Sequence, residues 1–233
     1  MKLENAIALI TGGGTGIGYD TARLLRDQGA KVAVAGRRSG PLEAAAKELG
    51  CLPLVGDVGK PGDAERMVGE VIAEYGDYNT LINNAGWGQF GTLTDLDPQQ
   101  FRDIMDTNVF GAMMMAKASA RHFVEKNTGN IINVSSTAGS KGFAGGTAYV
   151  ASKFALGGMT ECWRQELRKN NIRVMQINPS EVLTDFASTA GYDQKSSDRK
   201  LRGEDIAHAI LSMLSMHDRG FTTELTVFAT NPE

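Results

Sequence analysis

Short apolar runs rich in β-branched residues alternate along this chain with longer stretches whose apolar positions recur every three or four residues. The runs fall at 6–10, 31–35, 52–55, 80–82, 130–134, 172–177 and 224–228. Several are continuously apolar, as strands covered on both faces require. Helical spacing fills the gaps. One helix is expected over 42–49, stopped by Gly50, and another opens at Asp97-Pro98, an N-cap followed by a proline suited to the first turn. The second carries Phe101, Ile104, Met105, Val109, Ala112 and Met113 on one helical repeat. This alternation predicts an α/β chain, a single-domain Rossmann-type doubly wound seven-stranded parallel sheet with helices on both faces. Its functional loops lie at the carboxyl ends of the strands. Residues 1–233 read as one dinucleotide-binding and catalytic domain, with no repeat and no Pro- or Ser-rich linker. Residues 178–202 break the rhythm, being polar and irregular. A stretch that long is a substrate lid loop or a surface excursion, and Phe186 and Tyr192 are the apolar residues it could lay over a ligand.

Composition narrows the classes. The chain has 233 residues, 42% of them hydrophobic, enough for a full core in one domain. A formal net charge of −3 gives no electrostatic ground for a nucleic-acid partner. No apolar stretch approaches the ~18 residues of a membrane span. Residues 1–5 lead into the first strand without a secretory apolar region, and Cys51 and Cys162 stand apart. A cytoplasmic location, reduced thiols and no metal site are expected.

The chemistry sits in two places. The first strand runs directly into Thr11-Gly12-Gly13-Gly14-Thr15-Gly16-Ile17-Gly18. Glycines here allow a tight turn, backbone approach to a pyrophosphate and close packing of the helix that follows. That helix aims its N-terminal N–H groups at the phosphates. No Gly-Lys-Ser/Thr ends the turn, which disfavours a nucleotide triphosphatase. Far downstream, Tyr149 and Lys153 stand four apart, on one face if the segment is helical. A phenol of pKa about 10 must fall about three units, about 4 kcal/mol, to serve as a base at neutral pH. A nearby ammonium and an oxidised nicotinamide both push that way.

Thr-Gly-x-x-x-Gly-x-Gly resembles the cofactor motif of the short-chain dehydrogenase/reductase family, and further matches follow in order. Asn83-Asn84-Ala85-Gly86 is similar to the family's motif after the fourth strand. Asn108, Ser136, Tyr149 and Lys153 fall where the family keeps its catalytic tetrad. Asn178-Pro179 with Val182 and Thr184 resembles its nicotinamide-binding segment. The resemblance implies an oxidoreductase that exchanges hydride between a nicotinamide and a carbonyl or secondary alcohol, a ketone reductase or one resembling the 3-oxoacyl-carrier-protein reductases. It implies cofactor contacts at Gly12, Gly14, Thr15, Gly16, Ile17, Gly18, Asp57, Val58, Asn84, Ala85, Gly86, Tyr149, Lys153, Pro179, Val182 and Thr184. Ser136 would hold the substrate oxygen, Tyr149 would pass the proton, and Lys153 and Asn108 would relay it.

At the end of the second strand, Gly36 offers no carboxylate for a ribose hydroxyl, whereas Arg37 and Arg38 suit a 2′-phosphate, so the expected cofactor is NADP(H). Trp87, Phe90, Phe143 and Phe186 are candidate pocket walls or packing, and Glu181 departs from the family's glycine, a carboxylate that favours a polar or cationic substrate or simply faces solvent. An acidic carrier protein bearing a thioester would need a basic surface, for which Lys126, Arg168 and Lys169 are candidates. Met113-Met114-Met115 suits subunit packing or core filling, with a homo-oligomer, dimer or tetramer, expected. Two other readings stand beside the reductase: a secondary-alcohol or hydroxy-acid dehydrogenase working oxidatively, and a catalytically silent dinucleotide-sensing regulator.

Overall fold

A computed structural model describes residues 1–192, 194 and 197–231. Seven parallel strands run in the order β3 (Leu52–Val55), β2 (Lys31–Gly36), β1 (Ile7–Thr11), β4 (Thr80–Asn83), β5 (Gly129–Val134), β6 (Ile172–Pro179) and β9 (Glu224–Val227). Each expected strand is present, with no end moved by more than two residues. The order reverses between β1 and β4, which opens a crevice beyond their carboxyl ends.

Alternation along the strands feeds two cores. Ala8 and Ile10 of β1 join Val32 and Val34 of β2 under α1 (Gly16–Asp27), α2 (Ser39–Leu49) and α8 (Gly203–Ser215). Leu9 and Ala33 face the other way, with α3 (Asp63–Tyr75) and α5 (Ala112–Lys126) over them. Gly50 ends α2 at φ 63°, left-handed as a glycine stop should be. The Asp97 side chain accepts from the Gln99 amide at 2.8 Å and starts α4 (Pro98–Met105).

Two expectations are corrected. The second helix is not uniform: α4 passes into a π-helical segment, Asp106–Gly111, before α5. Residues 178–202 are not wholly irregular either. Asn178 and Pro179 complete the buried β6. Val182–Leu183 (β7) pairs in parallel with Leu201–Arg202 (β8), and Phe186–Ala190 forms α7 between them. Residues 193, 195 and 196 of the expected lid, and residues 232–233 of the C-terminal end, lie outside the described residues.

Candidate active site

The crevice is a cleft of about 1110 Å³ running from the end of β2 across the glycine turn to α7. Gly12 and Gly16 hold φ of 66° and 55°, a left-handed backbone that favours glycine. A Cβ on Gly18 would stand 2.3 Å from the Gly12 carbonyl oxygen, so α1 packs against the turn only because residue 18 has no side chain. Thr15 gives α1 no side-chain cap, which leaves its first N–H groups facing the cleft. Arg37 and Arg38 line the cleft beyond Gly36, and Asp57 and Val58 line it after β3. Asp57 also closes its own turn, accepting from the Gly59 amide at 3.0 Å.

Asn84 lines the cleft and also ties its loops together. Its amide donates to the carbonyls of Thr11 (3.0 Å) and Gly12 (3.2 Å), while Thr11 Oγ1 accepts from the amides of Asn84 and Ala85, both at 3.0 Å. The two loops at the crevice are stitched to each other. Thr11 opens the glycine motif, but its part as the clasp is what sequence reasoning missed, since nothing shows it until β4 is known to lie beside β1. Ala85, Gly86, Pro179, Val182 and Thr184 line the same cleft. A Cβ on Gly16 would approach Thr184 Cγ2 to 3.2 Å, which places the start of the 178–202 segment against the turn.

Ser136, Tyr149 and Lys153 meet at the cleft floor. Ser136 lies two residues beyond β5 and accepts from the Ala138 amide at 3.1 Å. Tyr149 and Lys153 lie on α6 (Thr147–Leu167), with Lys153 Nζ 5.6 Å from the Tyr149 ring centroid. Lys153 is 5% exposed and its Nζ donates to the Val134 carbonyl at 2.9 Å. Burial pushes the Tyr149 phenol up to about 12, opposed by its hydrogen bond with Ser136. Burial likewise pulls the Lys153 ammonium down to about 8. The expected acidification of the phenol is therefore absent from the chain by itself. The amine is held at a carbonyl rather than at the phenol oxygen, and both groups lose solvation.

Asn108 lies in the π-helical segment, fully buried. Its Oδ1 accepts from the Trp87 amide at 3.0 Å, and its Nδ2 donates to the Trp87 carbonyl at 2.9 Å and to Ser152 Oγ at 3.0 Å. It thus ties the loop after β4 to α6, one residue from Lys153. The local widening of the helix accompanies this reach. Trp87 donates through Nε1 to Thr107 Oγ1 at 3.3 Å, an anchor as well as a wall.

Other expectations change. The Glu181 carboxylate is engaged by Lys200 at 2.9 Å and by Gln194 at 3.1 Å, and Lys200 holds it below the usual range; it is not offered free to a cationic substrate. Lys126 is paired with Asp77 at 3.3 Å. Lys126 and Arg168–Asn170 immediately precede the first residues of β5 and β6, so the cations considered for a carrier protein sit at the edge opposite the cleft. Of the methionine triplet, Met115 is core and Met113 lines a groove between α5 and α6.

The short chain dehydrogenase family model matches residues 6–195. The chain belongs to the short-chain dehydrogenase family. Among family members, an NADP-dependent 3-hydroxy acid dehydrogenase from Schizosaccharomyces pombe is 32% identical, covering 99% of this chain and 95% of that one. The structure of a 3-ketoacyl-(acyl-carrier-protein) reductase from Brucella melitensis with NADH superimposes with a TM-score of 0.92 at 28% identity, covering 98% of each chain. A serine dehydrogenase with NADP+ superimposes with a TM-score of 0.89 at 29% identity, covering 94% and 93%. The resemblance drawn from motifs is thereby placed on the whole chain, as an oxidoreductase family with this parallel sheet.

Proposed function

We propose that this short-chain dehydrogenase is an NADP(H)-dependent oxidoreductase that interconverts a ketone and a secondary alcohol, working as a carbonyl reductase. The observation that carries this is the meeting of Ser136, Tyr149 and Lys153 beside a glycine turn whose backbone tolerates no Cβ at residue 18. NADP(H) is the cofactor: Arg37 and Arg38 flank a strand end without a carboxylate, and two of the relatives named above are an NADP-dependent enzyme and an NADP+ complex. Gly12 to Gly18 would hold the pyrophosphate, Arg37 and Arg38 the 2′-phosphate, and Lys153 the ribose nearest the nicotinamide. When bound, the dinucleotide supplies or accepts the hydride and, oxidised, adds a positive ring that favours the phenolate.

The side chains do the rest. Ser136 donates to the carbonyl oxygen of the substrate and steadies charge developing there. Tyr149 gives that oxygen its proton. Lys153, on the same face of α6 as Tyr149, would return a proton to it, and Asn108 keeps the loop and helix that carry these groups in register. Residues 180–192, with β7 held to β8 and Glu181 paired with Lys200, act as the lid.

NADPH oxidation against a carbonyl panel that includes a β-keto thioester tests the reading. Tyr149→Phe is expected to retain NADPH binding and lose at least ~100-fold in kcat. Near-normal turnover by that variant overturns the assignment. The reading includes self-association as a dimer or tetramer, supported by the groove of about 610 Å³ that Met113, Val124 and Leu167 line. Light scattering on wild type and Met113→Lys decides it: a monomeric wild type sinks this part.

A further inference from the structure

Five aromatic rings gather directly over the reacting end of the cleft, and Phe90 is their hub. It lies edge-on to Phe143 (centroids 5.3 Å apart, planes at 88°) and to Tyr149 (5.9 Å, 72°). It stacks on Tyr192 (5.4 Å, 27°) and meets Phe186 at 6.4 Å. Phe186 in turn packs on the Tyr149 ring at 5.2 Å. The rings come from four separate places in the chain: the loop after β4, the loop before α6, α6 itself and the α7 region. Backbone bonds hold these places together. The Phe90 amide donates to Ala190, and the Gly91 amide donates to Gly145 at 3.0 Å. Gly88 makes room, since a Cβ there would stand 3.0 Å from the Tyr149 ring and 3.1 Å from Phe186.

Charge is distributed just as unevenly. Among the described residues that line the cleft, the cations are Arg37, Arg38, Lys141 and Lys153. The two arginines follow β2, at the far end from Tyr149. Lys153 is committed to the Val134 carbonyl, and Lys141 is exposed on the outer loop. Asp185 brings a carboxylate to the same end, and Glu181 there is paired with Lys200. A substrate carboxylate entering among the rings would lose its water with no buried cation to meet it. A flat π-system would instead meet ring faces and edges.

We propose that this enzyme's substrates are uncharged ketones, or the matching alcohols, that bear an aryl group next to the reacting carbon, with Phe90 the residue that selects the ring. This rests on the carbonyl-reductase reading above. It separates the chain from a 3-hydroxy acid or serine enzyme, whose substrates carry a carboxylate.

The test is kcat/KM with NADPH for three ketones: ethyl 3-oxo-3-phenylpropanoate, the corresponding free acid, and ethyl 3-oxobutanoate. The first and second differ by a charge, the first and third by the ring. The phenyl ester is expected to exceed both others by at least about tenfold. Phe90→Ala should bring the phenyl and methyl esters to within a few-fold while NADPH binding, read by fluorescence, is kept. Equal or better turnover of the free acid overturns the proposal, as does a phenyl preference that survives Phe90→Ala. If NADPH binds and none of the three ketones nor the β-keto thioester turns over, the reductase reading itself has failed and this proposal with it. Turnover of only the thioester or the methyl ester sinks the proposal and leaves the reductase reading intact.

Discussion

Replacing Lys153 by methionine should make the protein more stable at neutral pH while destroying its activity. Lys153 is 5% exposed, and burial lowers its ammonium from 10.5 to about 8. Each pKa unit corresponds to about 1.4 kcal/mol, so keeping the charge in the fold costs about 3 kcal/mol below pH 8. Lys153→Met removes that penalty but leaves the Val134 carbonyl without its 2.9 Å donor, a loss of about 1–2 kcal/mol. A net gain of about 1–2 kcal/mol at pH 7 follows.

The pH dependence separates this from simple repacking. The folded pKa of Lys153 lies below the unfolded one. Between about pH 8 and 10.5 the unfolded chain keeps a proton that the folded chain has released, so wild-type stability gains with rising pH. By pH 9.5 the wild type should have recovered about 2 kcal/mol relative to the variant. Cys51, whose thiol burial pushes up to about 11, works in the opposite direction above pH 9, but both proteins contain it and it cancels in the difference. Urea unfolding of both proteins without cofactor, at pH 7 and 9.5, measures the two gaps. Equal gaps at the two pH values would show that Lys153 is not desolvated, and the electrostatic account of the site would fail.

Two further outcomes are expected. Arg37→Ala and Arg38→Ala should each weaken NADPH relative to NADH, at least ~10-fold in the Kd ratio for the stronger of the two; titration by fluorescence reads this, and an unchanged ratio in both variants removes the arginines from cofactor choice. Gly18→Ala places a Cβ 2.3 Å from the Gly12 carbonyl oxygen, so NADPH affinity should fall at least ~10-fold and the Tm should drop by several degrees; wild-type values in both assays would mean the turn is more accommodating than its geometry.

Much of this architecture was legible because it is local. The strands announce themselves as apolar runs, Gly50 and Asp97-Pro98 as helix ends, and the glycine turn as a stop after the first strand. Ser136, Tyr149 and Lys153 could be found because they match, in order, the motif of the family that the chain resembles; helix geometry fixes only the Tyr149–Lys153 spacing on α6. What escaped notice depends on which strands become neighbours. Thr11 becomes a clasp only because β4 lies beside β1, and Glu181 loses its free carboxylate only because β8 returns Lys200 to β7. The π-helical segment escaped for another reason: hydrophobic spacing at 3.6 residues tolerates one widened turn, so Asn108 could be placed on the helix without revealing that it reaches Trp87.

The perturbed pKa values follow from the same distinction. Sequence distance put an ammonium near a phenol, and pairwise attraction alone would acidify that phenol. The fold adds desolvation of both groups and turns Nζ toward Val134, and desolvation outweighs the attraction. At neutral pH the phenol is held neutral and the ammonium stays charged only at a cost, so a dinucleotide whose oxidised ring favours the phenolate would couple proton transfer to cofactor binding. That coupling requires the lysine to be uncomfortable in the empty fold, which is why its removal should stabilise the protein even as it abolishes the proposed proton relay.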